Sequence, residues 1–518
     1  MQSVQKTSAL DTRDAHVVSD TVKTWLGNPI SRSMLKFACS SGKNGIRLDY
    51  GLRRYSGLID NGGDFWDNMA YRFVKFSVDK GAQAFGVEPE MMQEGLRDPV
   101  FRRALVNVLG GIAEHGIKKP QTSIAPFLVV WNFTHCCNLR CKHCYENSDG
   151  TFLPDELTTK EAKQAIDHFA EIGVVGIAFS GGEPLIRKDF FEVANYAREK
   201  GFYVSIATNG TMVTPEIAKR IRDIGVEYVE VSLDGFEKEH DALRRVPGAW
   251  KKACSGIRNC LKAGLDTCVA TTVTKRNYKN MEKFMGFVEN DLKCRRIIVF
   301  NYIPTGRGKC IMKDDLSPDE RENVNKLIYD KLVDDGCKLT ALSTAPLYAR
   351  IATEHAGPAI ATHFVNQTVM DAMQGKTKSL AEFIGGCGAG RLYCGLEPNG
   401  DVEPCVFMQI KLGNIREQSL KDIWKNHPTL KKMRDRDKIK GCGKCEHRYI
   451  CGGCRARAYG YYGDVAGPDP GCMLNKSYWN ALKNGECGSC DDKTKNRIDN
   501  KNEEKKPFSI SSIINSLF

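Results

Sequence analysis

At 518 residues the chain is too long for one ordinary core, and two or three domains are expected. Its hydrophobic share of 42% and charged share of 27% are those of a globular protein, and no apolar run reaches the ~18 residues of a membrane span. The net charge of +12 would suit an anionic partner, but no basic stripe with interleaved aromatics is present, so nucleic-acid binding is not expected.

The start, "MQSVQKTSALDTRDAH", lacks the apolar centre of a signal peptide, and a cytoplasmic protein is expected. Residues 1–120 read as a helical N-terminal region whose role the sequence does not name. Within it, Met92, Leu96, Leu105, Val108, Leu109 and Ile112 recur at helical spacing and read as a core face. Pro99 is placed to begin a second helix there.

From 126 the rhythm changes to alternating strands and helices. "PFLVVWNFT" reads as a strand, "TTKEAKQAIDHFAEIG" as a helix, "VVGIAFS" as a strand and "KDFFEVANYAREKG" as a helix. "YVSIATN" follows, then "TPEIAKRIRDIG", with Thr214 as cap, Pro215 in the first turn and Gly225 past the end. After these come the strand "VEYVEVSLDG", a helix near 249–263, "DTCVATTVT", a helix near 280–291 and "RRIIVFNYIP". Six βα units imply a parallel sheet with right-handed crossovers, suiting a partial (β/α)6 barrel or, on pattern alone, a doubly wound sheet. In either fold, chemistry belongs in the loops after the strands' C-terminal ends.

The α/β core is assigned to 121–316, a helical connection to 317–386, and a small cysteine-rich domain to 387–475. That last unit holds eight cysteines among short, turn-rich pieces, as expected of a domain organised by metal. The basic run "LKKMRDRDKIKG" (430–441) reads as a solvated helix end, and 476–518 as a disordered tail.

The chain has 21 cysteines, and in the cytosol thiols stay reduced. Scattered ones such as Cys254, Cys260, Cys268, Cys294 and Cys337 read as small buried hydrophobes. Cys487 and Cys490 form a lone C-x2-C that reads as two exposed thiols. The clustered cysteines call for a metal. Cys137, Cys141 and Cys144 form C-x3-C-x2-C directly after the first strand. A structural zinc closes with four ligands, whereas three thiolates on one short loop suit a [4Fe–4S] cube with one iron left open. Cys136 should point away from them, and His143 is poorly placed to join.

With Tyr145 after the third cysteine, this loop resembles the signature of the radical S-adenosylmethionine (SAM) enzymes. The resemblance implies that SAM binds the open iron and is reductively cleaved to a 5′-deoxyadenosyl radical that removes a substrate hydrogen. It also implies an open-site cluster that requires anaerobic conditions, and a low-potential donor of ferredoxin or flavodoxin type. "SGGEP" (180–184) is similar to the family's loop for the methionyl amine, with Gly181, Gly182 and Glu183 in the relevant places. Ser232 and Arg244 resemble the pair that holds the ribose and carboxylate of SAM. Asn209 either contacts SAM or caps its turn, and Arg307 in "NYIPTGRG" lies near SAM or substrate or is a plain loop residue.

The C-terminal cysteines resemble the SPASM extension, which carries two auxiliary [4Fe–4S] clusters in relatives. That resemblance assigns Cys387, Cys394, Cys405 and Cys454 to the first, and Cys442, Cys445, Cys451 and Cys472 to the second. Two zinc tetrahedra would use the same eight thiolates. Two departures stand out. Cys451 and Cys454 are separated by two residues where many relatives have three, which leaves the split between clusters open. After Cys405 stands Val406, where formylglycine-forming relatives carry an aspartate base; a valine accepts no proton. No catalytic residue is singled out. The implied substrate is first a peptide or protein side chain, and alternatively a tetrapyrrole, for whose propionates Arg455 and Arg457 could be ligands unless they brace the clusters. A non-catalytic iron–sulfur electron carrier is the reading from another class.

Overall fold

A computed structural model describes residues 28–60, 62–84, 88–334, 336–355 and 382–485. Seven strands of the central sheet follow one another in sequence: β1 (Leu128–Thr134), β2 (Gly176–Gly181), β3 (Tyr203–Thr208), β4 (Tyr228–Ser232), β5 (Thr267–Val273), β6 (Arg296–Asn301) and β7 (Thr340–Ser343). Three more come from the C-terminal region: β8 (Tyr393–Leu396), β9 (Asp401–Glu403) and β10 (Gly413–Asn414). The order is β10-β9-β8-β1-β2-β3-β4-β5-β6-β7, parallel from β8 to β7, with β9 and β10 antiparallel.

The sheet is an α/β partial barrel and does not close, since β10 and β7 are its two edges. Strand alternation gives it two faces. Val129, Trp131 and Phe133 of β1 join the large core beneath the helices, with Ile177, Phe179, Val204 and Ile206. Val130, Ala178, Tyr228, Cys268, Ile298 and Leu342 form the inner face. The helices between strands begin where their caps dictate. Thr158 and Glu161 form a reciprocal capping box at Thr159–Ile172, and Thr214 caps Pro215–Asp223.

The N-terminal helices Pro29–Ala38, Arg47–Tyr55, Phe65–Ala84, Pro89–Arg97 and Pro99–His115 pack around their own apolar cluster, which includes Leu35, Leu52, Val74, Leu96 and Ile112. Val108, expected in that core face, is exposed instead. Buried Asn107 ties this unit to the sheet, donating to the carbonyls of Ala125 (3.1 Å) and Gly173 (2.8 Å).

Three features differ from the sequence reading. The stretch 317–386 carries the strand β7 between helices Pro318–Val333 and Leu347–Glu354, and so extends the sheet. The basic run at 430–441 is not simply solvated: Leu430 and Met433 are buried, and buried Arg436 donates to the Cys387 carbonyl at 2.5 Å. The first residues assigned to the tail are ordered, since helix Lys476–Lys483 packs Trp479 edge-on against Tyr461. Residues 1–27, the rest of the expected tail from 486, and Cys487 and Cys490 lie outside the described residues.

Candidate active site and cysteine clusters

The loop after β1 carries Cys137, Cys141 and Cys144, which share a small apolar cluster with Leu139, Val246 and Ala249. Burial raises the Cys137 thiol, and its neighbours Cys141 and Cys144 raise it further, so three thiols share one electrostatic environment. Cys136 is buried apart from them, with Glu156 and Asp149 as its charged neighbours. His143 turns toward Asp234 (3.7 Å), and burial pulls its imidazole down to about 4.

Three other loops hold this one in place. The backbone N–H groups of Gly182 and Glu183, after β2, donate to the carbonyls of Thr134 (2.8 Å) and Cys136 (2.9 Å). Gly181 has φ +114°, and a Cβ on Gly182 would lie 2.2 Å from the Cys136 carbonyl oxygen. Glu183 is fully buried and accepts from Asn209 N (2.7 Å) and Thr208 Oγ1 (2.8 Å), which joins the ends of β2 and β3. Burial pushes its carboxyl up to about 7, against those hydrogen bonds. Asn209 caps its own turn by accepting from Thr211 N (2.9 Å), while its amide donates to Asn138 (2.8 Å) and lies 4.0 Å from Cys137 Sγ.

Ser232 ends β4, half-buried. Buried Arg244 donates to Asp234 (2.6 Å) and lies 3.6 Å from Cys141 Sγ. Asp234 also accepts from Thr272 N (2.9 Å); burial would raise its carboxyl, but Arg244, His143 and His240 hold it down to about 2. The third brace is the loop after β6. Arg307 donates to the carbonyls of Cys141 (2.7 Å) and Ser148 (2.8 Å), and a Cβ on Gly306 would strike the Tyr145 carbonyl at 2.1 Å. Tyr145 places its hydroxyl between Asn132 (3.2 Å) and Ser180 (3.0 Å), with its ring edge-on to Phe407 at 4.9 Å.

Phe407 belongs to the C-terminal region, whose Gln409 also donates to the Tyr145 carbonyl (3.0 Å). The two cysteine regions therefore meet across the inner face. Cys387, Cys405 and Cys454 lie in one apolar cluster with Met408 and Met433. Cys451 is raised by burial, then by Cys472 and Cys442, and Cys445 N–H donates to the Cys442 carbonyl at 3.0 Å. Arg455 and Arg457 are both fully buried and brace this region. Arg455 donates to the Gly467 carbonyl (2.7 Å), and Arg457 pairs with Asp469 (3.3 Å).

Sequence reasoning found the cysteines and the strand-end loops. It missed Asp234, Gln409 and a trio of carboxyls beside Tyr145, buried Glu146 and Glu403 with half-buried Glu397. Glu397 accepts from Asn132 (2.8 Å), and burial followed by Glu397 pushes Glu403 up to about 10. "VSLDG" reads as a turn, and nothing in it announces that the aspartate is the partner of Arg244.

The arrangement is that of the radical SAM superfamily, and the chain belongs to it. The superfamily's family model matches residues 131–288, and the model of the iron–sulfur cluster-binding SPASM domain matches residues 387–446. It is 38% identical over 351 residues to an AdoMet-dependent heme synthase of Methanosarcina barkeri, covering 67% of this chain and 97% of that protein. It is 30% identical over 363 residues to the mycofactocin maturase MftC of Mycobacterium tuberculosis, covering 68% of this chain and 84% of that one. Among solved structures, Streptococcus suis SuiB bound to S-adenosylmethionine matches with a TM-score of 0.56 at 19% identity, covering 82% of this chain and 92% of SuiB.

The protein is therefore an enzyme of this superfamily, with a SAM-binding [4Fe–4S] cluster and auxiliary clusters as its cofactors. The residues present fit such groups. The first loop offers three clustered thiols, Cys137 and Cys141 buried and Cys144 partly so, with cationic Arg244 beside Cys141, and Gly181 and Gly182 let the loop after β2 pack directly against its backbone. Among the described residues, no three His, Cys, Asp or Glu side chains are gathered closely enough to hold a metal ion. Also among the described residues, no helix is long and apolar enough to cross a membrane.

Proposed function

We propose that the enzyme acts on a tetrapyrrole, removing hydrogen from a peripheral side chain in an oxidation that ends in loss of carbon dioxide. The observation that carries this reading is the similarity along 97% of the M. barkeri heme synthase. The inner face supports it. Tyr145, Tyr228, Phe300, Tyr393 and Phe407 stand among small and branched apolar residues, a lining suited to a flat conjugated ring. Val406 closes that lining and offers no proton acceptor, which a decarboxylation does not require at that place.

In this reading Cys137, Cys141 and Cys144 hold the SAM-binding cluster, and the C-terminal cysteines hold the auxiliary ones. Loaded in this way, the site supplies reductive cleavage of a sulfonium and a carbon radical for hydrogen removal. The chain's own residues position and insulate. Gly181 and Gly182 let the loop after β2 lie against the cysteine loop, where its backbone would meet the SAM amine, and Asn209, Ser232 and Tyr145 would line the approach. Arg244 steadies a thiolate at Cys141 while Asp234 holds the guanidinium still. A ferredoxin- or flavodoxin-type donor would provide the electron that cleaves SAM, and an auxiliary cluster would accept the electron that the substrate radical gives up as carbon dioxide and the carboxyl proton leave.

The test is anaerobic titration of the reconstituted enzyme with iron-coproporphyrin III, followed by turnover with SAM and dithionite. The expected results are a shift of the porphyrin absorption band and a product lacking carbon dioxide and two hydrogens. An unshifted band with intact clusters would overturn the tetrapyrrole reading. It would favour a peptide side chain, the reading supported by the 30% identity to a mycofactocin maturase.

A further inference from the structure

The N-terminal helical unit lies outside both family-model matches, and it concentrates the apolar surface that the enzyme exposes. Of thirteen large apolar side chains exposed among the described residues, ten lie between Ile30 and Val108. Such surface marks a binding face where the side chains are contiguous. Two helical stripes make them so here. In helix Pro29–Ala38, Leu35 and Ala38 turn into the unit's core, and Ile30, Met34 and Phe37 run along another side at helical spacing. In helix Phe65–Ala84, Ala70, Val74 and Val78 are buried, while Phe65, Met69, Arg72 and Phe76 form the opposite, exposed stripe. The ring of Trp66 joins the two helices, edge-on to Phe37 at 5.8 Å and to Phe65 at 5.3 Å.

Charge sets the kind of partner. Residues 28–84 carry nine Lys and Arg against five Asp and no Glu. Three of the aspartates are paired, Asp49 with Arg53, Asp67 with Arg47 and Asp79 with Lys75. Asp64, beside Phe65, accepts from Asp67 N (2.7 Å) in the first turn of the helix. Exposed Arg72 stands within the apolar stripe, and exposed Lys80 follows it on the same helix. Exposed Lys43 sits on the hairpin that Asn44 ties to Asp67 (2.8 Å) at the start of that helix. A second copy of the chain would bring these cations against themselves, because a two-fold interface sets a patch on its own image. The face therefore suits an anionic partner. Phe65 is 73% exposed and Trp66 51%, so their rings stand out as knobs. A bilayer interface accepts such knobs wherever they fall, with rings at headgroup level and cations at the lipid phosphates. A protein partner would need a matched pocket for each.

We infer that this face docks the enzyme on an anionic lipid surface, with Phe65, Trp66, Met69 and Phe76 entering the headgroup layer. Lys43, Arg72 and Lys80 meet the phosphates there. The inference concerns the N-terminal unit alone and stands whichever substrate the barrel takes.

The test is co-sedimentation of full-length, anaerobically reconstituted holoenzyme with vesicles of equal phosphatidylglycerol and phosphatidylcholine, or of phosphatidylcholine alone. Wild type is compared with Phe65→Ser/Trp66→Ser, with Arg72→Glu, and with Phe152→Ser, an exposed phenylalanine outside the face. Wild type and Phe152→Ser are expected to bind the anionic vesicles at low salt and to leave them at high salt. Arg72→Glu and the double variant should each bind about tenfold more weakly, with circular dichroism and cluster spectra unchanged. Wild type that ignores the anionic vesicles would overturn the inference and hand the face to an acidic protein or to another part of this chain. Equal binding to both vesicle compositions would overturn it too, as would a double variant that binds like wild type. So would a wild-type dimer in sedimentation velocity that the double variant dissolves.

Discussion

Gly182 sits against a backbone oxygen, and a backbone cannot step aside as a flexible side chain can. A Cβ there would lie 2.2 Å from the Cys136 carbonyl, so Gly182→Ala must displace either its own loop or the cysteine loop. The expected cost is about 1–3 kcal/mol of stability by denaturant titration, with loss of the SAM-dependent spectral change. Gly286, in the helix Met281–Asn290, is the control: nothing lies within 4 Å of its Cβ position, and Gly286→Ala should stabilise by about 0.5–1 kcal/mol. Glu403 makes a second test. Its carboxyl, ordinarily near 4.5, is pushed up to about 10, so the folded state holds a proton that the unfolded chain releases. Stability from this group is full below about pH 4.5 and is lost as pH rises toward 10. Glu403→Gln removes that loss. Its melting temperature should exceed wild type by a margin that widens from pH 5 to pH 9, and a constant margin would contradict the raised carboxyl. The cysteine triplet was legible at this scale because spacing within one loop is local. Glu403 and Asp234 were not: Glu403 is set by burial and by Glu397 across the β8–β9 turn, and Asp234 by burial beside Arg244, with His143 and Thr272 brought in from other loops.

Among elements, the strands of 126–304 and the helices between them, apart from Glu237–Arg244, were readable from period and caps, since each carries its own alternation and boundary residues. β8 was not. "YCGL" is four residues with a glycine, too short for a period to register, and only β1 alongside makes it a strand. The faces of such a strand separate neighbouring residues: Cys394 joins the core beneath the helices and Tyr393 packs on the inner face. The helix Leu420–Asn426 anchors this C-terminal region to the sheet through Trp424, buried and donating to the Ser123 carbonyl at 3.1 Å. Trp424→Ala should cost about 3–5 kcal/mol, measured by urea denaturation. A cost below about 1 kcal/mol would mean that the helix does not hold the C-terminal region.

At the scale of the molecule, the cysteine-rich region is part of the barrel rather than an appendage. It supplies β8 to the open edge of β1, Phe407 to the ring of Tyr145, and Gln409 to the Tyr145 carbonyl. A chain ending at residue 386 would leave β1 as an unpaired apolar edge and is expected to aggregate on size exclusion, whereas a separable domain would leave a monodisperse core. Sequence pattern carried the architecture this far but drew a boundary at 387 that the sheet crosses. The central claim is that three thiolates on the loop after β1 hold a cluster open to SAM. Its most direct test is electron paramagnetic resonance of the reduced holoenzyme with and without SAM, alongside release of 5′-deoxyadenosine, in wild type and Cys141→Ala. Wild type should show a SAM-shifted signal and release the nucleoside; Cys141→Ala should lose both and keep its auxiliary-cluster signals. A fully loaded wild-type enzyme whose signal ignores SAM, or nucleoside release that survives Cys141→Ala, would contradict the claim.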